Sequence, residues 1–241
     1  HWSFFGKCVI LLLIQIGGLG FMSVMTAASL LVRRTITLRE RMVIGAGFNL
    51  DSYGGIVRLT RRVLFGTLLF EGIGAALLSV RFVGEFGLLR GIGMGIFHAV
   101  SAFCNGGFDL MGTPDDPFCS LVGYAGDPLV SLTIMALIVI GGLGFFVWSD
   151  VWDRKCFKRL TLHSKLVLTT SGALLAGGFV LTLLFEWSNP ATLGGMTLPH
   201  KLLAAAFQSV TLRTAGFNTI DESALTGPSQ ALACMLMLIG G

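Results

Sequence analysis

The chain has 241 residues, of which 54% are hydrophobic and 12% charged, with a net charge of +4 and a mean hydropathy of +0.81. A water-soluble domain carries roughly a quarter charged residues, so this composition excludes one and indicates an integral membrane protein, where ionised groups in hydrocarbon are expensive. The positive charge does not indicate nucleic acid, because twelve of the 17 basic residues fall in segments 33–62 and 154–165. The stretches between them carry acids, among them Asp109, Asp115, Asp116, Asp127, Asp221 and Glu222. That asymmetry predicts cytoplasmic basic segments.

In chain order, a first span runs over about residues 8–32 and stops at Arg33-Arg34. Residues 33–62 form a basic connector whose mildly apolar middle, 42–57, is expected along the membrane interface. A second span covers 63–83. Residues 91–103 follow, giving a helix of only ~20 Å, too short to cross a ~30 Å core and therefore re-entrant. After an Asn105-Gly-Gly-Phe108 turn comes a polar loop, 109–126. Asp127-Pro128 supplies a helix start, with an acid at the cap and proline in the first turn, opening a third span to about Val151. Beyond the connector 154–165 lie a fourth span (166–187), a second short helix opened by Pro199 (199–210), a turn at 211–218 ending in Thr214-Ala-Gly-Phe217, and a fifth span from about Gln230.

An internal repeat underlies this order. Ile16-Gly-Gly-Leu-Gly-Phe21 recurs as Ile140-Gly-Gly-Leu-Gly-Phe145 at an offset of 124, and Ile239-Gly-Gly241 begins a third copy. The Gly-Phe pairs at 107–108 and 216–217 mark one turn per copy. The unit is thus span, short helix, Gly-Phe turn, span. The first residue is not Met and the last lie in an apolar run, so the expectation is a piece of a larger protein.

Irregular backbone at membrane depth is tolerated where it is buried in protein or lines a wet cavity, so two such turns suggest the wall of an ion pathway. Carbonyl rings can replace the hydration shell of a cation, and glycine permits the backbone angles this needs. The backbone carbonyls of Asn105, Gly106, Gly107 and Phe108, and of Thr214, Ala215, Gly216 and Phe217, are the expected cation ligands. Their Phe rings are expected to wedge the turns against neighbouring helices. Arg213 is expected to brace the second turn by pairing with Glu186 or Glu71, and Glu71, near mid-span, is a functional candidate by default. His98 and Cys104 read as packing residues, and the glycine pairs 17–18 and 141–142 as helix contacts.

Ser101-Ala-Phe-Cys-Asn-Gly-Gly-Phe108, Gln208-Ser-Val-Thr-Leu-Arg-Thr-Ala-Gly-Phe-Asn218 and Gln15-Ile-Gly-Gly-Leu-Gly-Phe-Met22 together resemble the Trk/Ktr/HKT superfamily of potassium translocating subunits, most nearly its KtrB branch. The resemblance implies an all-α integral membrane fold of tandem helix–pore-loop–helix repeats around a pseudo-fourfold pore. This chain would hold the end of repeat one (1–32), repeat two (63–153) and part of repeat three (166–241). Gly107 and Gly216 match the key filter glycines of copies two and three. The first and fourth filter loops are absent, as is the gating loop that follows Ile-Gly-Gly in the family's third copy.

The resemblance also implies a plasma-membrane location with the filter turns on the outer side, potassium as the transported ion, sodium as a candidate coupling ion, a homodimer, and a cytosolic ring of nucleotide-binding subunits of the KtrA/TrkA kind. The chain itself has no Gly-x-Gly-x-x-Gly or Walker loop, so no cofactor is expected here. Its four His residues (1, 98, 163, 200) are dispersed and its five Cys residues lack metal or disulfide spacing, which argues against an enzyme. The alternative is an ion- or proton-coupled secondary transporter with discontinuous helices, for which Glu71 alone qualifies as an intramembrane acid.

Overall fold

The computed structural model describes residues 3–20, 56–113 and 119–240. The described residues are helical with connecting turns: α1 (Phe4–Leu19), α2 (Ile56–Phe86), α3 (Leu88–Phe103), α4 (Pro128–Gly142), α5 (Phe145–Arg154), α6 (Leu162–Glu186), α7 (Leu198–Thr211) and α8 (Gly227–Ile239). Two of them, Arg61–Phe86 within α2 and Leu162–Glu186, are long and apolar enough to cross a membrane. Large apolar side chains such as Phe65, Leu68, Val80, Leu166 and Leu184 stand exposed on them, as lipid-facing surface requires.

Several boundaries differ from the sequence expectation. The second span begins at Ile56, inside the expected basic connector, and continues to Phe86. The fourth spans Leu162–Glu186, taking in the end of the second connector, and the last helix starts at Gly227. The rest of the expected first span, and residues 33–55 of the connector, lie outside the described residues. The expected third span, 128–151, is not one helix. It breaks after Gly142, and α5 leaves at 92° to α4. Gly144, at φ +82°, makes that bend, and the equivalent Gly20 stops α1, also at positive φ. A purely apolar hydropathy run hides such a break.

α3 folds back along α2. Gly91 and Gly95 lie on the contact, where an added Cβ on Gly91 would sit 2.5 Å from the Val83 backbone nitrogen and one on Gly95 would overlap Ser79. This i, i+4 pair of small residues lets the two backbones approach. The pattern of helix, short helix and second helix recurs in α6, α7 and α8.

Each unit ties the end of its long helix to the cap of its second helix. Arg81 on α2 pairs with Asp127 at 2.6 Å and with Glu85 at 3.3 Å. Asp127 accepts from the Leu129 and Val130 amides as the α4 cap. In the next unit Glu186, at the end of α6, accepts from both the amide and the hydroxyl of Thr226, the α8 cap, at 2.9 and 2.7 Å. One core joins the units, running from Leu78 and Phe82 through Phe103 and Ile134 to Phe207 and Phe217.

Candidate functional site

The two Gly-Phe turns come together. Each follows the C-terminal end of a short helix, α3 or α7, where the helix dipole is negative. An ideal Cβ on Gly107 would lie 2.8 Å from the Ala215 carbonyl oxygen and 2.9 Å from Gly216 Cα, and one on Gly216 would lie 3.0 Å from Gly107 Cα. The turns therefore meet backbone to backbone, with no room for a side chain at either glycine.

Their backbones share one conformational pattern. Asn105 (φ +50°) and Gly107 (φ +68°) are left-handed with Gly106 between them not, and Thr214 (φ +63°) and Gly216 (φ +85°) repeat this around Ala215. Alternating handedness turns successive carbonyls toward the same side of the chain. The carbonyls of Asn105, Gly106, Gly107, Thr214, Ala215 and Gly216 receive no backbone hydrogen bond from the described residues. Phe217 differs: its carbonyl accepts from the Thr211 hydroxyl at 2.6 Å, which leaves one lone pair. Asparagine is enriched in the left-handed region, so Asn105 carried a readable signal; a β-branched residue there is an outlier, and nothing at Thr214 announced it.

Turn one is gripped from two sides by copies of one motif. A Cβ on Gly18 of α1 would overlap the Cys104 side chain, and one on Gly141 of α4 would overlap the Phe103 carbonyl. These glycines thus touch the end of α3 itself. Turn two is tied to the loop beyond turn one, where Leu121 N–H donates to Asn218 O at 2.9 Å and the Ser120 hydroxyl accepts from Asn218 N–H at 3.1 Å.

The two Phe rings occupy different settings. Phe217 is fully buried and packs near His98, with ring centroids 6.4 Å apart. Phe108 is 45% exposed. His98 is buried, its Nδ1 within 2.8 Å of Met94 O and its Nε2 accepting from Leu110 N–H. Those partners fix a neutral ring protonated on Nδ1, which holds the chain just beyond turn one.

Glu71 is 5% exposed, and both its oxygens accept from Gln15 Nε2, at 3.0 and 3.1 Å. The Cys104 thiol lies 3.8 Å from its Oε1. Gln15, not singled out in advance, is the amide in an otherwise apolar run of α1, and that isolation was its signal. Arg213 does not pair as expected. Glu186 is satisfied by Asn189, Thr192 and Thr226, Glu71 by Gln15 and Cys104, and no ion pair among the described residues involves Arg213. The residue is 8% exposed and its Nε has no hydrogen-bond partner among the described residues; it lines a small space with Asn105, Ile138, Val139, Gly142 and Val210. At the base of turn two, it thus shares that space with Asn105 of turn one. Among the described residues, no group of three His, Cys, Asp or Glu side chains is placed to hold a metal ion.

Comparison with known families decides the lineage. The family model described as TrkH, cation transport protein, matches residues 2–241. The chain belongs to the TrkH family. Its TrkH-family relatives include the Ktr system potassium uptake protein B of Bacillus subtilis, 40% identical over all of this chain and 53% of that protein. The potassium/sodium uptake protein NtpJ of Enterococcus hirae is 40% identical over all of this chain and 52% of its own length. The Ktr system potassium uptake protein B of Vibrio alginolyticus is 38% identical over the same shares. The chain spans about half the length of these curated relatives.

Proposed function

We propose that this chain forms part of the pathway by which a membrane protein moves potassium ions, with the carbonyls of Asn105, Gly106, Gly107 and Phe108 and of Thr214, Ala215, Gly216 and Phe217 replacing the ion's water. The observation that carries this is the paired alternation of left-handed residues in two touching turns, with carbonyls left without backbone donors. Carbonyls on half-buried or exposed backbone that take no backbone donor are free to accept from water or to meet a cation. The short helices aim their negative ends at the same place. Glu71 and Arg213 support the turns, the first through Gln15 and Cys104, the second from the space it shares with Asn105.

The relatives' names support potassium, and NtpJ's name supports sodium as a second cation. The name "Ktr system" supports further subunits; on this proposal the chain belongs to a homodimer in the plasma membrane. A cytosolic nucleotide-binding ring then meets the basic segments 33–62 and 154–165, and the turns open outward.

The test is growth at low potassium of cells lacking their own uptake systems and carrying the full-length protein. Rescue is expected, and Gly107→Ser or Gly216→Ser abolishes it with protein still in the membrane. Undiminished rescue by both variants overturns the assignment.

A further inference from the structure

The break between α4 and α5 lies against turn one, and Trp148 holds the junction. Ending α4 at Gly142 orphans its last carbonyls, and the Trp148 indole N–H donates to one of them, Ile140 O, at 2.8 Å. The indole sits in an aromatic box, its ring centroid 5.2 Å from Phe70, 5.3 Å from Phe145 and 5.5 Å from Phe103, all tilted edge to face. Phe103 is the last residue of α3, immediately before the turn. Its carbonyl abuts Gly141, and a Cβ on Gly142 would lie 3.4 Å from Asn105 Nδ2. The break, the indole and the turn are therefore one packed unit.

The far side of the junction is also anchored. Asp153 of α5 pairs with Arg62 of α2 at 2.8 Å. Asp150 pairs with Arg154 at 2.7 Å and accepts from the amide and hydroxyl of Thr161, the α6 cap, both at 2.8 Å. A displacement of α5 must then move Trp148, and through Phe103 the residues that carry the turn's carbonyls. Packed interiors transmit such shifts because they have no slack.

We propose that Trp148 is a positioning residue for turn one: by packing its ring on Phe103 it sets the carbonyl positions of Asn105 and Gly107, and hence the discrimination among monovalent cations. This rests on the reading of that turn as an ion ligand. The indole acts at two points, and its ring contact with Phe103, rather than its N–H, reaches the turn.

The experiment uses the full-length protein in proteoliposomes, measuring the ratio of sodium to potassium uptake at matched protein amounts. Trp148→Leu removes ring and donor, and is expected to shift the ratio about threefold or more, the lower range for residues in direct contact. Trp148→Phe keeps an aromatic face toward Phe103 and is expected to hold the native ratio. Gly141→Ala, whose new methyl meets the Phe103 carbonyl, shifts the ratio as Trp148→Leu does. Gly177→Ala, in open space on α6, leaves it unchanged. A native ratio in both Trp148→Leu and Gly141→Ala, while Gly107→Ser shifts it, overturns the positioning role and leaves the turn assignment standing. A native ratio in Gly107→Ser as well overturns both. If Trp148→Leu does not reach the membrane, Gly141→Ala decides alone, and a native ratio there overturns the proposal.

Discussion

The pairing of Gln15 with Glu71 makes a prediction in which two damaging changes are milder than one. Glu71 is 5% exposed, and Gln15 supplies the hydrogen bonds to both its oxygens at 3.0 and 3.1 Å. Among the described residues, Gln15→Leu leaves that carboxyl facing the Cys104 thiol alone, at 3.8 Å. An unsatisfied buried polar group costs about 1–3 kcal/mol, and more when charged. Gln15→Leu with Glu71→Leu removes donor and acceptor together, and such paired apolar replacement is close to neutral. Thermal unfolding of the full-length protein in detergent should show a clear loss for Gln15→Leu and recovery of most of it in the double variant. Cation selectivity should not recover, because Glu71 no longer holds Cys104 beside turn one. A double variant less stable than Gln15→Leu refutes the energetic reasoning; native selectivity in the double variant refutes the supporting role.

Other consequences follow from single groups. Thr214 holds φ +63°, a conformation unfavourable by about 1–2 kcal/mol for an L-residue; Thr214→Gly should raise the melting temperature while potassium uptake continues, and loss of uptake there would show that the hydroxyl matters. Glu186 takes four hydrogen bonds from donors alone, on Asn189, Thr192 and Thr226. Glu186→Gln would turn an NH2 toward some of them and should destabilise by about 3 kcal/mol, read by the same melts; a native melting temperature would refute it. Burial pushes the Glu222 carboxyl above its ordinary value, with the Gln208 amide at 2.7 Å acting in the opposite sense. The folded protein then binds this proton more tightly than the unfolded chain, so this group's contribution to stability is fully present at low pH and is lost as pH rises from the unfolded value through the folded one. Glu222→Gln should abolish that fall, and melting curves that change with pH in parallel for both proteins would contradict it.

The order of spans, short helices and turns was legible because lipid imposes it: apolar runs must be long to cross, charges must stay out, and a repeated Gly-Phe stands out against that background. The meeting of Gly107 with Gly216 followed from recognising equivalent places in a repeat. The break after Gly142 was not legible, since Ile-Gly-Gly-Leu-Gly-Phe scores as continuous apolar sequence, although three glycines in four residues are a poor helix interior. Arg213 was expected to pair with Glu186 or Glu71 because it sits beside turn two, yet both acids already have other partners. Single-residue logic supplies the need for a partner, while only packing says which group is close enough.

The two turns lean on a shared element. α4 presents Gly141 and Gly142 to turn one, while Ile138 and Val139 line the small space that also holds Val210 and Arg213 from the base of turn two. Turn two is backed in addition by α8, where Leu236 and Ala233 cluster with Leu212. Turn one thus rests on α1 and α4, and turn two on α4 and α8. Such a scheme couples the two turns through α4. A change in α4 reaches both turns at once, and its bend is secured by an indole cap, an aromatic box and an ion pair to α2.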